Sequence, residues 1–149
     1  MALNAPDLTK RPPRSPSVRL GGYVILPRLL DKGRATLARK NGEYIYDCPL
    51  DRRFVKFAGI SAAALKKQLA EGKGDGEILK WINKASRTKP SHWEIAAWSA
   101  YQGQRVPSDV EVREFFHKIH KQIAPRRDDV ATWFDLLDLD DHVTFGGKP

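Results

Sequence analysis

Helix starts marked by capping signals, each followed by a glycine or proline stop, recur along most of this 149-residue chain, and strand signals are almost missing. Ser91-x-x-Glu94 and Ser108-x-x-Glu111 are capping boxes, in which a hydroxyl and a carboxylate satisfy the first free N–H groups of a helix. Ser61 caps another start with Ile60 placed to staple onto Leu65, and Asp75 caps the next. Pro49 and Asp51 open a brief helix that Gly59 ends. Leu26, Leu30, Gly33 and Leu37 recur at helical spacing and predict a helix from Pro27 to about Lys40, stopped by Asn41-Gly42. A last helix is expected from Asp128 to about Leu137. The short alternation Tyr44, Tyr46, Cys48 predicts an extended segment, and the tryptophans, set among aliphatic neighbours at helical positions, predict core. The chain is therefore expected to be all-α, a single compact domain of about six helices.

Pro6, Pro12, Pro13 and Pro16 fix extended geometry before the first helix, and Gly21-Gly22 supplies a joint. The predicted organisation is an extended, basic, proline-rich arm over 1–23, a helical domain over 24–142 and a tail over 143–149. The length suits one domain, and no apolar run approaches the roughly 18 residues that a membrane span needs. A single cysteine excludes an internal disulfide framework and, with no apolar leader, points to the cytoplasm. The net charge of +8 is unevenly spread: residues 1–127 hold 25 basic against 12 acidic side chains, residues 128–149 one lysine against six aspartates. A basic body with an acidic end is compatible with an anionic partner, but no membrane partner is indicated.

The segment RPPRSPSVRLGGYVILPRLLDKGRATLARKNGEYIYDCPLDRRF, followed by the GIS and EILKWI elements, resembles the opening of bacterial proteins grouped as domain of unknown function 5069. The likeness runs from about Asp7 to His142. It implies a bacterial, single-domain, mainly helical protein, and it brings no assigned activity, cofactor or catalytic residue with it. Gly33, where alanine is expected in such sequences, is a departure.

Cys48 is read chiefly as a buried plug, because Asp47 and Asp51 flank it and free cysteines are among the most buried residues. A nearby cation and a helix N-terminus would instead make it a nucleophile. Glu114-x-x-His117 and His120 offer half of a carboxylate-bridged metal site without its second half, and DLDDH near the end lacks a calcium-loop pattern. GKGDG over 72–76 lacks the strand and the lysine-serine pair of a phosphate loop. No metal and no cofactor are predicted.

Function is expected where charged and aromatic residues crowd near the first helix. Arg14, Arg19, Arg28, Arg34 and Arg52, with Asp31, Asp47 and Asp51, alternate in sign over about forty residues beside Tyr44 and Tyr46. If the arm folds back, these groups and Trp93 and Trp98 would wall a pocket for a small anionic or polyhydroxylated metabolite. Asp31, Asp47 and Cys48 are the candidate catalytic groups, and an internal salt-bridge network is the competing outcome. Two other functions fit the same residues. The basic body could contact nucleic acid or the ribosome, although no motif supports it, and the arm could dock in a partner protein's groove.

Overall fold

The computed structural model describes residues 4–149. Among them are seven α-helices and no strand: α1 (Leu26–Leu37), α2 (Pro49–Ala58), α3 (Ala62–Ala70), α4 (Asp75–Ala85), α5 (His92–Gln104), α6 (Val110–Ile123) and α7 (Trp133–Thr144). The domain is all-helical as expected, with seven helices rather than about six. The segment opened by Pro49 forms a full ten-residue helix.

Local chemistry explains most boundaries. Ser61 Oγ accepts the Ala64 N–H at 3.0 Å, and Ser91 and Glu94 exchange the two bonds of a capping box. Three starts are displaced from expectation. Gly74 caps α4, leaving Asp75 in the first turn with its carboxylate turned to arginines. Asp109 rather than Ser108 caps α6, its Oδ1 accepting from Val112 N–H at 2.8 Å. The last helix starts at Trp133, because Thr132 and Asp135 form the capping box, while Asp129 is bonded to the Arg127 guanidinium. α7 therefore runs on past Leu137 and carries Asp138, Asp140 and Asp141. A turn at Gly42-Glu43 precedes, and one at Tyr46-Asp47 interrupts, the segment expected to be extended from Tyr44 to Cys48.

α1 is the central element, with Leu26, Leu29, Leu30 and Ala35 wholly buried. Around it gather Phe54 and Ala58 from α2, Leu65 and Leu69 from α3, Ile78 and Ile82 from α4, and Ile95 from α5. Each large side chain fully removed from water contributes about 1.5–3 kcal/mol. Gly33 sits where a Cβ would meet Leu69 Cδ1 at 2.5 Å and the Tyr46 ring at 3.1 Å, so its missing side chain admits two neighbours. α6 and α7 build a second, smaller cluster from Phe116, Ala124, Val130, Leu136 and Leu139.

Residues 4–25 lie docked against the helical domain. The Leu8 N–H donates to Lys40 O at 2.8 Å, Leu8 is buried, and Pro13 and Pro16 lie inside the surface. The Ile25 N–H donates to Pro16 O at 2.9 Å, fixing Ile25 at φ 74, a strained value for a β-branched residue, at the entry to α1. The first three residues of the expected arm lie outside the described residues.

The tryptophans divide. Trp98 stacks on Phe57 at 4.6 Å, and Trp133 meets Phe116 edge-on at 5.1 Å. Trp93 is 73% exposed and corrects the core expectation, since only the face of α5 bearing Ile95, Ser99 and Gln102 is covered.

Candidate functional site

α1 presents polar side chains on two sides, and they do different things. On one side Arg14, from the segment before α1, bonds Asp31 through both its backbone N–H and its guanidinium, and reaches Asp75 of α4 at 2.7 Å. Arg34 holds the same Asp75 at 2.8 Å and also donates to the Lys73 carbonyl. Burial would raise the Asp75 carboxyl, but the hydrogen bonds from Arg14 and Arg34 outweigh it and hold the group below its usual range. Every charge here is used internally. This half of the predicted cluster is a clamp that fastens residues 4–25 to α1 and α4, and Asp31 has no free oxygen with which to act as a base.

On the other side lie Arg28 and Lys32, one helical turn apart and 4% and 3% exposed. Arg28 donates to Asp141 of α7 at 2.8 Å and its guanidinium stands over the Tyr44 ring at 5.5 Å. The Tyr44 hydroxyl donates to the other oxygen of Asp141 at 2.7 Å. Burial, then this bond to Asp141, push the Tyr44 phenol well above its usual range. Lys32 Nζ donates to Asp51 at 2.7 Å and lies 3.2 Å from Cys48 Sγ. Asp51, wholly buried, takes the Cys48 N–H and Lys32 on Oδ2, while Oδ1 has no partner.

These two assemblies open onto one cavity of about 650 Å³. Arg28, Lys32, Tyr44, Cys48, Glu43, Asp140, Thr9 and Thr144 supply its polar wall, and Leu8, Ile45, Leu50, Leu137 and Phe145 its apolar one. The volume falls within the range of small-molecule sites, and the mixture of apolar wall and few polar groups is theirs too.

The family described as Domain of unknown function (DUF5069) matches residues 10–143. The chain belongs to that family. No curated protein matches it. Of the cavity residues in this DUF5069 chain, all but Leu8, Thr9, Thr144 and Phe145 fall inside the matched span.

Of the residues singled out in the sequence, Arg28, Tyr44 and Cys48 line the cavity and Asp51 lies behind it, but Cys48 is half-buried rather than a buried plug. The loop before α2, with Asp47 at φ 64, sets Cys48 at the helix cap rather than in the core. The other candidates lie elsewhere. Arg19 is exposed. Asp47 pairs loosely with Arg52 at 3.6 Å on the surface. Tyr46 turns inward, its hydroxyl donating to Ala62 O at 2.6 Å, and burial pushes its phenol well above the usual range. Trp98 belongs to the core, and neither it nor exposed Trp93 lines the cavity.

Lys32, Asp140, Asp141 and Thr144 were missed. Lys32 was legible, since it follows Arg28 by four residues and must share its face. The α7 residues were not, because their distance from α1 in the sequence exceeds a hundred residues. Among the described residues no three His, Cys, Asp or Glu side chains gather to hold a metal. His120 meets the Arg127 carbonyl, and His142 Nε2 lies 2.8 Å from the Lys148 carbonyl. No helix is long and apolar enough to cross a membrane among the described residues.

Proposed function

We propose that the cavity between α1, the 42–50 segment and the C-terminal half of α7 binds a small polar metabolite, polyhydroxylated or amine-bearing rather than strongly anionic. The observation that carries this reading is the charge balance of the wall. Arg28 and Lys32, its two cations, are already matched by Asp141 and Asp51, and Glu43 and Asp140 add two carboxylates with no counter-ion in the cavity. A dianion would meet net negative charge there, whereas hydroxyl or ammonium groups would find acceptors in Asp140 and Glu43. Burial, then the neighbouring Asp141, hold the Asp140 carboxyl above its usual range.

The test is a thermal-shift series with sugars, polyols, amino sugars and their phosphorylated counterparts. The expected hits are the uncharged or amine-bearing members, weakened in Tyr44→Phe and Asp140→Asn. Stabilisation by phosphorylated compounds alone would overturn the ligand class.

A further inference from the structure

Cys48 is set apart from an ordinary half-buried thiol by the company it keeps. The residue lines the cavity, and a lysine ammonium that is itself 3% exposed stands 3.2 Å from its sulfur. Cys48 is also the N-cap of α2, so Sγ sits beside the positive end of a ten-residue helix. Asp51 anchors the lysine through Oδ2 and keeps a second oxygen, bonded to the same carbon, buried and without a partner. A folded domain rarely leaves such an oxygen unsatisfied. Asp47 at φ 64, immediately before the cysteine, adds backbone strain at the same point. An ammonium, a helix terminus and a place in a cavity wall are the surroundings in which cysteines attack carbon electrophiles, and here the ammonium at 3.2 Å answers the flanking carboxylates.

From this geometry we infer that Cys48 is a nucleophile that accepts an acyl group from a small ester or thioester held in the cavity, with Lys32 as its electrostatic partner and Asp51 as a positioning residue. The inference rests on the reading of the cavity as a ligand site. In the step, the sulfur, as thiolate, forms a bond to the acyl carbon and the carbonyl π pair moves onto oxygen. As that pair returns, the bond from the acyl carbon to the leaving oxygen or sulfur breaks and the leaving group departs with its electrons. The thiol proton has gone to solvent, and the leaving group takes one up. The acyl group remains on Sγ until water or an acceptor amine or alcohol attacks the same carbon and restores the thiol. Lys32 Nζ, within 3.2 Å of the attacking sulfur, is in reach of the oxygen that becomes negative. An acyl carbonyl develops its negative charge on an oxygen bonded to the attacked carbon, within reach of that ammonium, whereas displacement at a saturated carbon would put the charge on a leaving group opposite the attacking sulfur.

The probe is p-nitrophenyl acetate, because nitrophenolate release and the mass of the protein report the two halves of the step. The expected result is one acetyl group per chain on Cys48, absent in Cys48→Ala, formed at least tenfold faster in the folded protein than in the same chain unfolded in urea. Lys32→Met should lower the rate at least tenfold and Lys32→Arg should restore most of it, with circular dichroism confirming that each is folded. Asp51→Asn should lower the rate less than Lys32→Met does. If Lys32→Met fails to fold, the comparison of folded with unfolded wild type decides. Acylation of the folded chain no faster than the unfolded one, or a folded Lys32→Met that reacts at the wild-type rate, would overturn the inference. The probe needs no cognate ligand, so the two readings fail separately. Thermal-shift hits without acylation remove only the nucleophile, and acylation without any hits removes only the proposed ligand class.

Discussion

At the scale of single residues, the cavity depends on two cations that the fold has taken out of water. Arg28 and Lys32 are nearly inaccessible, and each survives because one carboxylate meets it at hydrogen-bond distance. A buried pair adds little net stability, but removing one partner leaves an uncompensated charge inside. Asp141→Ala is therefore expected to cost about 3–5 kcal/mol in urea denaturation, because Arg28 would lose the carboxylate it is paired with. Tyr44→Phe removes only a hydroxyl donor to the same carboxylate and should cost about 1 kcal/mol in the same experiment. Equal costs for the two would mean that Arg28 is stabilised by something other than Asp141. Arg28 could be singled out from sequence because it stands on an apolar helix among leucines. Its partner could not, since nothing local to DLDDH says which aspartate turns inward.

At the scale of elements, the clamp of Arg14, Asp31, Arg34 and Asp75 ties the residues before α1 to two helices. Asp75 has a folded-state carboxyl held below its unfolded value, so its contribution is complete above the unfolded value of about 4 and is lost as pH falls through the lower folded one. Denaturation followed from pH 5 to pH 2 should show wild type losing more stability than Asp75→Asn below about pH 4. Identical acid limbs would contradict the clamp. The α2 stop is equally specific. Gly59 has φ 68, and a Cβ there would meet the Thr88 backbone nitrogen at 2.6 Å. Gly59→Ala should cost more than about 1 kcal/mol by thermal or chemical unfolding.

Helix existence was legible throughout because caps and apolar spacing are local properties, as the Ser61 and Ser91 starts show. Boundaries slipped where two capping residues adjoin, as at Ser108 and Asp109, or where an aspartate was needed elsewhere, as at Asp75. The proline-rich segment docks for a physical reason. Prolines fix φ but do not prevent docking, and Leu8 together with Arg14 supplies one apolar and one ionic anchor.

At the scale of the whole molecule, the uneven charge seen in the sequence is partly consumed by folding. The acidic end becomes α7, and Asp141 is spent on Arg28 of the basic body. Exposed basic residues remain on α2 (Arg52, Arg53, Lys56), α4 (Lys80, Lys84) and α6 (Arg113, Lys118, Lys121), and those of α4 and α6 are interleaved with exposed Glu77, Glu111 and Glu114 rather than forming a uniformly positive track. RNA retention is therefore expected to be weak, to fall steeply between about 50 and 200 mM salt, and to be unchanged by cavity substitutions.

The cavity itself is most directly tested by filling it. Thr144 is exposed at the rim and lines the wall, so Thr144→Trp should occupy the space without disturbing the core. Melting curves of wild type and Thr144→Trp should be recorded with the polyol and amino-sugar series at saturating concentration. Wild type should gain roughly 5–10 °C with at least one compound at about a hundred times its dissociation constant, and Thr144→Trp should gain nothing. A shift of the same size in both proteins would place the ligand somewhere other than this cavity and contradict the proposal.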